Sequence, residues 1–156
     1  MGDGALQRVI DFLAGRAPYL HPIELAEEIS TSVLAARALG VEVGAIAKSI
    51  LFTGRTVKIL VVASGDVRID EKKLRVLTGE KMRLADAATV EAVTGFPPGG
   101  VSPFALKTPV RILLDESMKR FGTVYAAAGT ARSAVPVAPE VLAEITGGAW
   151  AELRKD

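Results

Sequence analysis

No cysteine occurs in the 156 residues, which excludes disulfides, thiolate metal sites and a cysteine nucleophile together. Histidine is nearly absent as well. His21 stands alone, so a multi-histidine metal centre cannot be built, and serine-hydrolase chemistry would have to rest on that one imidazole. A lone histidine before a proline reads first as a surface or half-buried bystander. Nothing in the pattern calls for a metal ion or an organic cofactor. No apolar run approaches the roughly 20 residues of a membrane helix. The start, Met1-Gly2-Asp3-Gly4, has neither the cationic opening nor the apolar block of a secretory signal, so the expectation is a cytoplasmic protein without membrane contact. Asparagine is missing too, and Gln7 is the single glutamine, a depletion of labile amides that points to a thermophilic source.

What is present is the composition of a globular domain, 49% hydrophobic and 24% charged. The length suits one domain spanning residues 1–156 with a single core. A net charge of +1 gives no overall nucleic-acid signature, but the middle third is basic. From Lys48 to Arg83 there are nine Lys and Arg against four Asp and Glu. Charge clusters of this kind are more often a solvated face than a footprint, and become a binding surface only beside a groove or motif.

Apolar spacing predicts an N-terminal helix through Leu6, Val9, Ile10 and Leu13, with Asp3 as cap and Gly15 as stop. A second helix is expected after Ser30 or Thr31, carrying Val33, Leu34, Ala38 and Leu39 and closed by Gly40. The segment between them is ambiguous, extended before Pro22 or a helical turn over Glu24–Glu28. Lys48–Phe52 and Val57–Ala63 read as a hairpin across Thr53-Gly54-Arg55. Helices follow at Glu71–Leu77 and Ala87–Val93, capped by Asp70 and Asp86 and stopped at Gly79 and Gly95. Strands are expected at Val110–Leu114, Thr123–Ala127, near Val135 and at Trp150–Leu153, with a helix at Pro139–Ile145. The mixture lacks βαβ regularity and suits a mixed α/β fold with a curved, barrel-like sheet flanked by helices.

Two segments carry chemistry. Thr94-Gly-Phe-Pro-Pro-Gly-Gly-Val-Ser-Pro103 lacks charge and is dense in glycine and proline, which marks a loop of fixed shape able to present bare backbone groups. Ala47-Lys48-Ser49-Ile50-Leu51-Phe52 sets one cation in an apolar strand, an expensive position unless an anion or carbonyl meets it. Read by spacing alone, Lys48 is as well explained by a stem that reaches water, and the glycines by a tight turn. Together with Val124-Tyr-Ala-Ala-Ala-Gly129-Thr130, these segments resemble, in order, the YbaK/ProX group of aminoacyl-tRNA editing domains, over roughly Thr31 to Leu153.

The resemblance implies a freestanding hydrolase that deacylates mischarged aminoacyl-tRNA. Its partners would be the tRNA acceptor end and an aminoacyl-tRNA synthetase. It implies Lys48 as anchor for the tRNA 3′ end and Gly100, with the amides of residues 100–102, as donors to the reacting carbonyl. The substrate's own ribose hydroxyl is given a part in the attack in that family. Ser49, Gly99, Val101, Ser102, Pro103, Gly129 and Thr130 would shape or line the substrate site, although alternation along a strand should turn Ser49 away from Lys48. Ser102, standing before a proline, should orient the loop rather than attack. This chain departs from the cysteine-specific branch at Ala127, where that branch has serine, and lacks its acidic residue after Gly129. The expectation is a small apolar substrate such as alanine. The competing readings are an accessory module that binds tRNA or a synthetase without turnover, and a general small-molecule esterase.

Overall fold

The computed structural model describes residues 2–156, with side-chain surroundings from Gly4 onward. Its centre is the expected hairpin. β2 (Ile46–Thr53) and β3 (Lys58–Ser64) pair antiparallel from Ala47↔Ser64 to Thr53↔Lys58. The alternation of β2 sends Ala47 and Leu51 to one apolar cluster and Ile50 and Phe52 to another. β3 is buried on both faces and reads accordingly as a continuous apolar run, Ile59–Ala63.

Around the hairpin lie β5 (Arg111–Asp115) and β8 (Ala149–Ala151), parallel to β3 and to β5 in turn, and β6 (Val124–Ala127), parallel to β2. β7 (Ser133–Val137) and β1 (Ile23–Glu24) extend the β6 side, giving the order β1-β7-β6-β2-β3-β5-β8, while β4 (Arg83–Leu84) pairs with the far end of β2. The sheet is mixed and curved without closing into a barrel. The ambiguous stretch before the second helix is extended, forming β1 rather than a helical turn. β4 has no signature in the sequence beyond its position, and the closing strand sits slightly earlier than the expected Trp150–Leu153.

The helices fall where caps and stops place them: α1 (Gly2–Ala14), α2 (Ser32–Leu39), α3 (Glu71–Thr78), α4 (Ala87–Thr94) and α5 (Pro139–Thr146). Thr31, Asp70 and Asp86 each accept a first-turn N–H, those of Leu34, Lys72 and Thr89. The cap expected of Asp3 lies outside the described side chains. Val9 and Leu13 of α1 pack with Phe96, Phe104, Leu60 and Val62 in the larger cluster, and Leu74 of α3 with Ile59, Val61, Leu113 and Leu153 in the smaller. Each such side chain contributes about 1.5–3 kcal/mol on full burial.

Two polar ties fix the chain ends to this core. The carboxylate of Asp115, 1% exposed, accepts the N–H of Ser117 at 3.0 Å and of Leu153 at 2.7 Å. Arg8 on α1 donates to the carbonyls of Thr94 and Ala105, both at 3.1 Å, with its guanidinium 4.3 Å over the Phe96 ring. That clamp holds the two ends of the glycine loop against α1, so the loop's shape is set from outside as well as by its own prolines.

Gly129 ends β6 with φ +98°, and a Cβ there would sit 2.9 Å from the Phe96 ring and 3.0 Å from the Ala5 carbonyl oxygen. Backbone strain and overpacking therefore coincide. Gly129→Ala is expected to cost roughly 2–5 kcal/mol, whereas Gly79→Ala, at φ +79° with nothing within 4 Å, should cost about 1–2 kcal/mol. Urea midpoints at unchanged slope measure both; equal losses would mean that contact with Phe96 and Ala5 adds nothing.

Candidate functional site

β2 and β6 run parallel for only two residue pairs, Ile46↔Tyr125 and Ala47↔Ala126, and then diverge. On that side the next strand partner of β2 is β4, at Phe52 and Thr53. The edge from Lys48 to Ile50 is therefore left without a strand. Into the gap comes the glycine loop, with a single helical turn at Pro98–Gly100. A Cβ on Gly100 would lie 2.8 Å from both the N and C of Thr130, and one on Gly99 3.0 Å from the Ser30 Cβ. Two glycines thus let the loop lie directly on the Gly129-Thr130 backbone and the entry to α2.

The result is a pocket of about 100 Å³ lined by Ser30, Thr31 and Ser32 at the start of α2, by the small residues Ala35, Ala47, Ala127 and Ala134, and by Tyr125, Gly99, Val101, Lys48 and Ser49. It is smaller than the ~150 Å³ cavity that accepts benzene in an engineered protein. The enclosed part of the pocket suits a side chain of a few heavy atoms.

Lys48 is half-buried, and its ammonium donates to the Val67 carbonyl at 2.5 Å. Burial holds its pKa below the ordinary lysine value; Asp66 partly opposes that and Arg68 adds to it. Asp66 is itself engaged by Arg120 through two bonds of 2.7 and 3.0 Å. Ser49 lines the same pocket even though strand alternation turns it to the other face, because the pocket opens at the strand's bare edge and reaches both sides. Its hydroxyl oxygen is buried and has no hydrogen-bond partner among the described residues, an orphan of the kind native proteins seldom leave.

Of the residues singled out by sequence, Lys48, Ser49, Gly99 and Val101 meet in the pocket. Gly100, Ser102, Pro103, Gly129 and Thr130 stand behind it. The N–H of Gly100 donates to Pro97 O at 2.9 Å. The buried Ser102 hydroxyl accepts from the Phe104 N–H at 3.2 Å, and Thr130 Oγ1 shares a 2.6 Å bond with Ser133 Oγ. His21 is exposed and does not line the pocket. Ser30, Ser32 and Tyr125 were missed. Ser30 or Thr31 was read as a helix cap alone, and no local signal in the sequence marks Ser30, Ser32 or Tyr125 as pocket residues. No cluster of three or more potential metal ligands occurs among the described residues, and no helix there is long and apolar enough to cross a membrane.

Comparison with known proteins follows the same outline. A protein named YwhH from Bacillus subtilis (strain 168), uncharacterised, is 39% identical over 135 residues, covering 85% of this chain and 86% of its own. A candidate Cys-tRNA(Pro)/Cys-tRNA(Cys) deacylase, EbsC, from Enterococcus faecalis (strain ATCC 700802 / V583) is 31% identical over 120 residues, 76% of this chain and 73% of that one. The crystal structure of a candidate trans-editing enzyme for prolyl tRNA synthetase superposes with a TM-score of 0.92 at 36% identity, over 97% of this chain and 98% of that one. The model of the aminoacyl-tRNA editing domain matches residues 26–145, which contain the whole pocket, and the chain belongs to that family.

Proposed function

We propose that the chain acts in trans on charged tRNA, hydrolysing the ester that joins a small amino acid to the terminal adenosine. The observation that carries this is a small pocket that holds one half-buried ammonium and bare backbone but no carboxylate or imidazole. An aminoacyl ester is activated enough that positioning and electrostatics suffice. The Val67 carbonyl takes one of the three N–H donors of Lys48, leaving two for the phosphate or ribose of the terminal nucleotide. With the Gly100 amide committed to Pro97, the amide of the pocket-lining Val101 is the donor offered to the developing oxyanion. Water adds to the ester carbonyl, the bond to the ribose oxygen breaks, that oxygen takes a proton, and the amino acid leaves as carboxylate. The ribose hydroxyl next to the ester is placed to orient the water.

Ser49 lines the pocket with a buried hydroxyl that has no partner among the described residues, and a rotation of its side chain toward the pocket would let a polar group of the aminoacyl moiety satisfy it. Ala127 and Ala134, without hydrogen-bonding side chains, keep the opposite wall apolar. A prolyl-tRNA synthetase is the partner that the structural neighbour suggests, since a synthetase that misactivates small amino acids creates the substrate.

Deacylation of a panel of aminoacyl-tRNAs tests the reaction. Wild type is expected to hydrolyse those bearing small amino acids, alanine foremost, and to spare phenylalanyl- and tyrosyl-tRNA. Lys48→Ala should lose at least a hundredfold in rate. A flat panel with intact tRNA binding would favour the accessory module, and equal turnover of simple amino-acid esters the general esterase. Lys48→Met should change the melting temperature by no more than about 4 °C, because relief of ammonium burial opposes the loss of one bond to Val67, worth about 1 kcal/mol. The sign with pH follows from a lowered lysine pKa. The native state releases its proton before the unfolded one, so the burial cost is fully present at neutral pH and is relieved as pH climbs through the folded pKa toward the ordinary lysine value. Lys48→Met should accordingly remove a rise in relative stability at alkaline pH.

Ser49→Ala is expected to act in opposite directions on stability and rate. Removing an unsatisfied buried hydroxyl should raise the melting temperature by a few degrees, while kcat/KM falls about tenfold for one lost hydrogen bond. A lowered melting temperature with unchanged kcat/KM would make the hydroxyl structural.

A further inference from the structure

The bond from Lys48 to the Val67 carbonyl joins the pocket to a second feature, which the reaction does not use. Residues 68–70 lie antiparallel to residues 153–155: Lys155 N–H donates to Arg68 O at 2.8 Å, Asp70 N–H to Leu153 O at 2.7 Å, and Ile69 bridges Arg154. This places the exposed Arg68 and Lys155 directly opposite each other, with Arg154 on the next residue. Like charges set opposite on neighbouring extended segments repel. Internal relief is partial: Arg154 acts on Asp66 through space, but neither Asp66 nor Asp156 forms an ion pair with the three cations. Asp66 is held by Arg120, while Glu152 and Asp156 lie 2.8 and 3.6 Å from the Lys73 ammonium. Arg68, Arg154 and Lys155 have no side-chain hydrogen bond or ion pair among the described residues. They line one shallow groove with Asp66, Val67 and Asp156, and Arg68 is close enough to Lys48 to weaken its hold on a proton.

The rest of the basic middle third does not share this position. Arg55, Lys81 and Arg83 gather at the other end of the hairpin around Glu80. Five residues of strand separate Lys48 from Thr53, about 17 Å.

We propose that Arg68, Arg154 and Lys155 are the track for the sugar-phosphate backbone of an RNA strand whose 3′ end occupies the pocket. A polyanion entering past Lys48 meets three cations without an ion-pair partner of their own, and its phosphates relieve their mutual repulsion. The proposal rests on the reading of the pocket as a site for charged tRNA, and deepens it by assigning the path of the acceptor strand.

The test is binding of an uncharged RNA acceptor-stem hairpin with a single-stranded 3′ end, measured by fluorescence anisotropy across a salt series with the whole chain. Wild type is expected to bind with a steep salt dependence. The triple variant Arg68→Ala/Arg154→Ala/Lys155→Ala should weaken binding at least tenfold at low salt and flatten the slope of log Kd against log salt by about 2, at about 0.7 per single-strand phosphate contact. The variant Arg55→Ala/Lys81→Ala/Arg83→Ala should stay within twofold of wild type. Should the triple variant fold poorly, Arg68→Gln alone is expected to flatten the slope by about 0.7. Equal weakening by both triple variants, or no salt-dependent binding by wild type, would overturn the track. Hydrolysis of a 3′-aminoacyl-adenosine ester separates the two readings. Turnover of the ester by wild type without RNA binding that depends on Arg68, Arg154 and Lys155 removes the track and leaves the hydrolase, while such binding with no turnover removes the hydrolase and leaves the track.

Discussion

The contact of Gly100 with the backbone of Gly129 and Thr130 is the constraint from which the pocket follows. A sheet gains most by continuing its ladders, and β2 and β6 give theirs up after two pairs. The gap would be an uncovered edge, with unpaired N–H and C=O groups open to any passing strand. The glycine loop covers it without completing the ladder, because a loop whose Cβ positions would overlap Thr130 can approach only as bare backbone. Everything else in the site is placed by that wedge. Gly99 meets Ser30, Val101 faces the edge, and the unpaired stretch of β2 brings Lys48 and Ser49 into one pocket from opposite faces.

Much of this was legible in the sequence, for a physical reason: local rules decide local structure. The caps at Thr31, Asp70 and Asp86 were readable because a side-chain oxygen beside a helix start has one favourable use. The hairpin was readable because β-branched runs flank a short polar turn. The glycine loop was conspicuous because no ordinary connector spends so many special residues on so few positions. The strand β4 was invisible, since Arg83-Leu84 is ordered by pairing with Phe52 and Thr53 rather than by its own propensity. Tyr125 and Ser30 escaped notice for a related reason. Their pocket positions come from the divergence of two strands far apart in sequence, and no local spacing encodes where a parallel pair will separate.

Alternation along a strand predicts Ser49 turned away from Lys48, and the rule holds: the two residues do lie on opposite faces. What it omits is that a strand has edges as well as faces, and a site built on an edge collects neighbours from both. Sequence patterns describe faces, because burial writes itself into hydrophobicity. An edge leaves no such record. Gly99 and Gly100 come nearest to one, as their missing side chains imply that something must approach closely.

The charges show the same division between what a chain contains and where the fold puts it. Nine basic residues crowd the middle third of the sequence, yet the fold separates them, with Arg55, Lys81 and Arg83 at the hairpin turn, Lys48 and Arg68 at the other end of β2, and Lys72, Lys73 and Arg75 on α3. Those at the turn gather around Glu80, whose carboxylate accepts from the Thr56 hydroxyl and backbone and is held below the usual carboxylate range. Those at the other end are joined by Arg154 and Lys155 from a segment some eighty residues away in sequence, and the carboxylates there are already committed to Arg120 and Lys73. Neither end pairs its cations directly with a carboxylate, but only the second lies beside the half-buried Lys48 and combines two chain segments that set Arg68 opposite Lys155. A solvated face tolerates such an arrangement, but like charges held opposite each other beside a half-buried lysine repel, and an anionic strand lowers that repulsion as it binds.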